Sequence, residues 1–213
     1  MARLRLTEIF HSLQGESASV GWRTVFVRLT GCPLRCGYCD TAYAFKGGDW
    51  WDIEDIVDAV AQYDARHVTV TGGEPLAQPE CLGLLSALCD AGYKVSLETS
   101  GAIDISNVDP RVDRVMDLKT PGSGELERNL YANIAHLRTT DQVKFVITDE
   151  ADYRWSCEQL DCWELTGRCE VLFSPVAGDL APVQLADWIL RDRLDVRFQL
   201  QLHKILWGDQ PGR

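Results

Sequence analysis

The 213-residue chain is 46% hydrophobic and 25% charged and carries a formal net charge of −11, which supplies one substantial core and argues against nucleic acid as a direct partner. No apolar run approaches the roughly 20 residues that cross a bilayer, so no membrane partner is expected. MARLRLTEIFHSLQGE lacks the basic, apolar and small-residue regions of a secretory leader, and the expected location is the cytoplasm, where thiols stay reduced.

In chain order, TVFVRLTG (24–31) predicts a strand and IEDIVDAVAQY (53–63) a helix. HVTVTGGEP (67–75) predicts a strand ending in a glycine turn, and PECLGLLSALCDAG (79–92) a helix closed by glycine. KVSLETSG (94–101) is a strand, RVDRVMDLK (111–119) contains another, and ELERNLYANIAHL (125–137) has helical spacing. QVKFVIT (142–148) predicts a strand and DEADYRWSCEQL (149–160) a helix with a solvated acidic face. CEVLFSPV (169–176) and DVRFQLQL (195–202) are strands around the helix VQLADWILRD (183–192). Trp50 and Trp51 are expected to pack under the loop after residue 40, and Cys81 and Cys89 to join the core.

This alternation predicts an α/β fold with a parallel sheet and right-handed crossovers. The chain is short of an eight-unit barrel, typically ~250 residues. The expected architecture is an incomplete, TIM-like barrel of parallel βα units, one domain over 1–213. TGGEP, ETSG, DLKTPG and FSPV all fall where a strand gives way to a loop. In such folds the C-terminal strand ends carry the site, so these motifs should share one mouth.

GCPLRCGYCDT (31–41) places Cys32, Cys36 and Cys39 in a C-x3-C-x2-C pattern. Thiolates favour zinc, copper(I) or iron–sulfur clusters. Structural zinc wants four ligands, and the wider spacing of Cys157, Cys162 and Cys169 supplies no matching pair. A [4Fe–4S] cluster held by three cysteines keeps one iron open. In TGGEP, Gly72 and Gly73 allow close backbone approach, and Glu74 can accept from an ammonium group.

With Tyr38 before its last cysteine, and GGEP downstream, the pattern resembles the radical S-adenosylmethionine enzymes. The resemblance implies that the open iron binds the amino and carboxylate groups of S-adenosylmethionine. One electron then breaks a carbon–sulfur bond, giving a radical that takes a hydrogen atom from the substrate. EIFHSLQGES (8–17), FVRLTGCPLRCGYCDTAY, ETSG and the tail QLHKILWGDQPGR narrow the likeness to the 7-carboxy-7-deazaguanine synthases, a lyase family of queuosine biosynthesis. Ser17 departs from that pattern, where glycine is usual.

The narrower resemblance implies a reaction, a set of cofactors and a role for each matching residue. The reaction contracts 6-carboxy-5,6,7,8-tetrahydropterin to 7-carboxy-7-deazaguanine with loss of ammonia, using a [4Fe–4S] cluster, S-adenosylmethionine and Mg2+. By the same likeness, Cys32, Cys36 and Cys39 hold the cluster. Tyr38, Cys39, Asp40, Gly73, Glu74, Gly101, Lys119, Lys144 and Ser174 face the cofactor. Leu13, Gln14, Gly15, Glu16, Arg28, Thr99 and His203 face the substrate, with Arg28 suited to its carboxylate. Thr41 serves Mg2+, although a threonine there equally suits a turn-stabilising hydroxyl. A flavodoxin or ferredoxin would donate electrons, and the family is commonly homodimeric. The competing readings are an activase of a glycyl-radical enzyme and a non-catalytic zinc or iron–sulfur module.

Overall fold

The computed structural model describes residues 2–208, 210 and 212. The chain opens with β1 (Arg3–Leu13), which turns back antiparallel onto β2 (Arg23–Leu29). β3 (Asp49–Asp52) returns antiparallel to the far side of β1 and leads into α1 (Ile53–Ala61). Then follow β4 (His67–Gly72), α2 (Cys81–Asp90), β5 (Lys94–Thr99), β6 (Asp113–Asp117) and β7 (Gln142–Ile147). The rest comprises α3 (Glu150–Trp163), β8 (Glu170–Pro175), α4 (Pro182–Asp192), β9 (Arg197–Phe198) and α5 (Leu202–Trp207). No helix is long and apolar enough to cross a membrane among the described residues.

One nine-stranded sheet runs β3-β1-β2-β4-β5-β6-β7-β8-β9. From β2 onward every neighbouring pair is parallel. Side chains from β1, β2 and β4 to β7 line a single cavity, so the sheet curls into the expected partial barrel and stays open at its ends.

Alternation along each strand sorts the two faces. Val25, Val27 and Leu29 of β2, Val68 and Val70 of β4, and Val95 and Leu97 of β5 point outward to Ile56, Val60, Leu84, Leu85 and Leu88 of α1 and α2. Leu84, Leu85 and Leu88 have no exposed surface, and burying each contributes about 1.5–3 kcal/mol. The alternate residues Phe26, Arg28, Thr71 and Glu98 look into the cavity.

β1 changes faces part-way. Leu4 and Leu6 lie in the helix-covered core, yet Phe10 lines the cavity. The register against β2 shifts between Leu6, opposite Leu29, and Glu8, opposite Arg28. That irregularity around Thr7 is a bulge, and it carries Glu8 and Phe10 to the cavity side.

β1 forms where no element was expected, and three further stretches differ from expectation. Residues 125–137 form short 3-10 turns at Leu126–Arg128 and Tyr131–His136, not one helix. Of 195–202, only Arg197–Phe198 pairs as strand, and Leu202 already starts α5. Trp50 and Trp51 lie on edge strand β3, with Trp50 57% exposed and not packed beneath a loop. Cys81 is a core residue, and Cys89 packs against that core half-buried. In α3 the acidic face is interrupted by Asp152, which is buried.

Candidate active site

β2 delivers the chain into the cysteine loop. Cys32, Cys36 and Cys39 are half-buried and share the wall of a cavity of about 350 Å3. Burial pushes the thiol pKa values of Cys32 and Cys36 upward. Two neighbouring turns brace the loop. The Gly37 amide donates to the Ser123 carbonyl at 3.0 Å, and the Glu74 amide donates to the Gly31 carbonyl at 2.8 Å. A Cβ on Gly73 would sit 2.3 Å from the Gly31 carbonyl oxygen and 2.7 Å from Cys32 Cβ, so only glycine lets this turn seat against the loop.

Among the described residues, no three His, Cys, Asp or Glu side chains converge as a single-ion site. Three thiols leave a closed tetrahedral zinc site one ligand short, whereas a [4Fe–4S] group held by three cysteines keeps one iron open. The donor set therefore fits a cluster better than mononuclear zinc.

Asp152 supports the loop indirectly. It accepts from the Gly122 amide at 2.7 Å, from the Thr120 hydroxyl at 3.0 Å and from both the amide and hydroxyl of Thr148. It thereby fixes the 120–123 turn that receives Gly37.

Next to the loop, Lys119 Nζ lies 5.9 Å from the Tyr38 ring centre and 3.0 Å from Asp117 Oδ2. Burial works against the Lys119 charge, but Asp117 outweighs it and raises the pKa above the ordinary lysine value. Lys144 pairs with Glu16 at 2.5 Å and approaches Asp117 at 3.8 Å. Burial pushes the Glu16 carboxyl up, and Lys144 more than offsets this, leaving it below the usual carboxylate range.

Residues 13–17 close the other end of the cavity. The Gln14 amide group donates to Thr69 at 3.2 Å and Glu98 at 3.1 Å, and its oxygen accepts from the Glu16 amide. Glu16 accepts from Gln201 Nε2 at 2.9 Å as well as from Lys144. Gln14 and Glu16 thus line the cavity with side chains already engaged, and they hold the segment in place. A Cβ on Gly15 would meet His203 Nδ1 at 2.2 Å, so the missing side chain makes room for the imidazole. Ser17 has φ +68°, the left-handed region that favours glycine. Gln199 clamps it there, accepting from the Ser17 amide at 2.6 Å and donating to its carbonyl at 3.0 Å.

On the remaining wall, Phe10 and Phe26 stack with centroids 4.9 Å apart. The Arg28 guanidinium lies 5.5 Å from the Phe10 ring centre and 5.8 Å from that of Tyr43. Asp40 pairs with Lys204 at 3.3 Å and accepts from the Thr41 hydroxyl at 2.8 Å. Burial would raise the Asp40 pKa, but Lys204 and Thr41 bring it below the ordinary value. The Thr41 hydrogen is directed at Asp40, which leaves oxygen lone pairs for a hard cation.

The structure thus brings Leu13, Gln14, Gly15, Glu16, Arg28, the three clustered cysteines, Tyr38, Asp40, Thr41, Gly73, Thr99, Lys119, Lys144 and His203 to one cavity. Three residues expected at the cofactor are not among those lining this cavity. Glu74 is fully buried beside the cavity-lining residues Gly73, Thr99 and Ser100. Its carboxylate accepts from the Leu76 amide, the Thr99 hydroxyl, and the Ser100 amide and hydroxyl. Gly101 is a turn residue at φ +70°, and its carbonyl accepts from Asn133. Ser174 is fully buried in β8, off the cavity wall, and its hydroxyl has no partner among the described residues. Sequence reasoning missed Phe10, Phe26, Tyr43, Glu98, Asp117 and Gln201. Phe10 escaped simple alternation because the bulge near Thr7 decides which face it takes. Nothing local marked Gln201.

Residues 26–120 match the radical SAM superfamily. The 7-carboxy-7-deazaguanine synthase of Chlorobaculum tepidum is 48% identical, over 97% of this chain and 96% of that protein. That of Koribacter versatilis is 40% identical, over 96% of this chain and 97% of that protein. The crystal structure of QueE from Escherichia coli superposes with a TM-score of 0.78 at 22% identity, covering 95% of this chain and 96% of that one. Family-level likeness thus extends over the elements that build the cavity and the cysteine loop, and this chain belongs to the 7-carboxy-7-deazaguanine synthases, radical S-adenosylmethionine enzymes.

Proposed function

We propose that this chain, as one domain over 1–213, contracts 6-carboxy-5,6,7,8-tetrahydropterin to 7-carboxy-7-deazaguanine with release of ammonia, in the cytoplasm and on the route to queuosine. The observation that carries the reading is the juxtaposition, around one cavity, of a three-thiol loop with Arg28 and Thr41. At about 350 Å3 the cavity has the size of small-molecule sites and suits a bicyclic ligand better than the protein strand an activase would admit.

When bound, the [4Fe–4S] cluster and S-adenosylmethionine supply one-electron chemistry that removes a hydrogen atom from the substrate. The protein's own residues bind and orient. Cys32, Cys36 and Cys39 hold the iron. Lys119 and Lys144, kept charged by Asp117 and Glu16, offer ammonium donors to anionic or carbonyl groups in the cavity. Arg28 takes the substrate carboxylate through paired hydrogen bonds. His203 and the backbone at Leu13 and Gly15 read the pterin edge, and Phe10 and Phe26 present aromatic surface beside it. Thr41 would offer its hydroxyl oxygen to Mg2+, which would supply charge stabilisation beside the substrate carboxylate. The electron comes from a flavodoxin or ferredoxin, and the assembly is a homodimer.

The direct test supplies 6-carboxy-tetrahydropterin to the reconstituted protein with and without Mg2+ and follows 7-carboxy-7-deazaguanine. Product that depends on both S-adenosylmethionine and substrate is expected. Cofactor cleavage with no deazapurine would refute the substrate assignment. In Thr41→Ala the iron content should persist while most of the stimulation by Mg2+ disappears. A variant as metal-responsive as the parent would remove Thr41 from the metal site. Arg28→Ala should raise KM for the substrate by about tenfold or more while cofactor cleavage continues. Equal losses in both would count against a carboxylate role.

A further inference from the structure

Glu8 opens the EIFHSLQGES stretch but was expected in no site role, yet it is the residue on which that wall converges. Its Oε1 accepts from Arg28 Nε at 2.7 Å and from the Tyr43 hydroxyl at 2.7 Å. The two charged side chains are 15% and 24% exposed, so this pair is shielded in a way that surface pairs are not. Tyr43 belongs to the 3-10 turn Ala42–Phe45 directly after Thr41. Glu8 therefore ties three things together: the first strand, the cavity arginine and the far end of the cysteine loop.

The bulge gives this contact its local cause. Without the extra residue near Thr7, alternation would continue Leu4 and Leu6 into the same face, and residue 8 would point into the helix-covered core. With it, Glu8 stands opposite Arg28 on the cavity side. An arginine bound at Nε by a carboxylate has its rotation about the last side-chain bonds fixed, and its terminal nitrogens keep a set direction. Phe10 and Tyr43 flank the guanidinium plane and restrict it further.

We propose that Glu8 is a positioning residue that aims Arg28 at the carboxylate of the ligand and, through Tyr43, sets the spacing between that anion site and the loop ending in Thr41. The inference rests on the carboxylate role of Arg28 given above. Glu8 touches neither substrate nor cofactor. Its contribution is to selectivity for the carboxylated ligand over its uncharged counterpart.

The test uses cluster-reconstituted protein without oxygen and two fluorescent probes, pterin-6-carboxylate and pterin, with Kd read by titration. For Glu8→Gln, Kd for pterin-6-carboxylate should rise about tenfold, the loss of one charge-assisted orienting bond, while Kd for pterin stays within twofold. Tyr43→Phe should show about a threefold rise with the same selectivity. If Glu8→Gln weakens both probes equally, Glu8 is only structural and the proposal fails. If it weakens neither, the proposal also fails. Arg28→Ala separates the two layers. Lost discrimination there with a silent Glu8→Gln overturns the positioning role alone, whereas undiminished preference for the carboxylate in Arg28→Ala overturns the anion site and the positioning role together.

Discussion

Cys36→Ala is expected to abolish product formation and to leave the reconstituted protein with little or no stable cluster iron. Two thiols cannot hold the three irons that need protein ligands, and the second sulfur of the loop has no substitute nearby. The fold should survive, because Cys36 is half-buried on a loop and adds little to the core. Cys81→Ala gives the opposite pattern. Cys81 is fully buried in α2 against the sheet, so its loss should cost about 1–2 kcal/mol of stability with iron content unchanged. Iron per chain, thermal midpoint and turnover, measured on both variants, distinguish a ligand cysteine from a packed one. Parental iron in Cys36→Ala would contradict the assignment.

The second large effect lies away from the cavity. Asp141 has no exposed surface and stands between two arginines. It accepts from the backbone amide and Nε of Arg114 at 3.1 Å each, and from the amide of Arg138 at 2.8 Å. Arg138 also reaches it with a terminal nitrogen at 3.0 Å, and Arg114 donates a further short bond from its own. These contacts fasten the starts of β6 and β7, which carry Asp117 and Lys144, with Lys119 just past β6, to the cavity. Removing one partner of a buried ion pair leaves charge uncompensated and costs about 3–5 kcal/mol. Asp141→Asn should lower the urea midpoint by that equivalent, a large part of the roughly 5–15 kcal/mol that holds a domain folded. A loss under about 1 kcal/mol would mean the network is not what secures these strands.

The same residue sets a pH dependence. Burial pushes the Asp141 carboxyl up, but Arg114 and Arg138 together bring its folded-state pKa below the ordinary carboxylate value. A depressed folded pKa stabilises the protein fully above the unfolded-chain value. That contribution should fade as pH falls through the folded value, and Asp141→Asn should flatten this acid limb.

Most of the parallel strands and their helices were legible because their signals are local, whereas β1, whose alternation the bulge breaks, was not. The Val-rich runs of β4, β5, β7 and β8 and the amphipathic α1 and α4 read directly as buried strands and covering helices. Residues 125–137 misled because distant partners override helical spacing. Asn129 spends its side chain on the backbone amide and carbonyl of Lys119. Asn133 does the same with Ile105, Gly101 and Ile103. Both bind backbone groups across the fold, and the segment breaks into 3-10 turns around them. The last expected strand was shortened for a related reason. Gln199 and Gln201 leave the sheet to hold Ser17 and Glu16, a pairing across more than 180 residues that no window on the sequence reveals.

The site divides along the same line. Clustered cysteines, the glycine turn and Arg28 were readable because their chemistry constrains residue type at short spacing. The bracing of Thr99 and Ser100 by Glu74 was not, since an acidic side chain at a strand end carries no local sign of its partners. Glu8 escaped notice because a single inserted residue in β1 decides which way it points.

The proposed chemistry depends on an iron–sulfur group bound by the three loop thiols with one metal corner left for the cofactor. The most direct measurement is electron paramagnetic resonance of the anaerobically reconstituted, reduced protein before and after adding S-adenosylmethionine. A [4Fe–4S]+ signal that shifts on addition, and is missing from Cys36→Ala, is the predicted result. A signal indifferent to S-adenosylmethionine, or protein that takes up zinc and no iron, would contradict it.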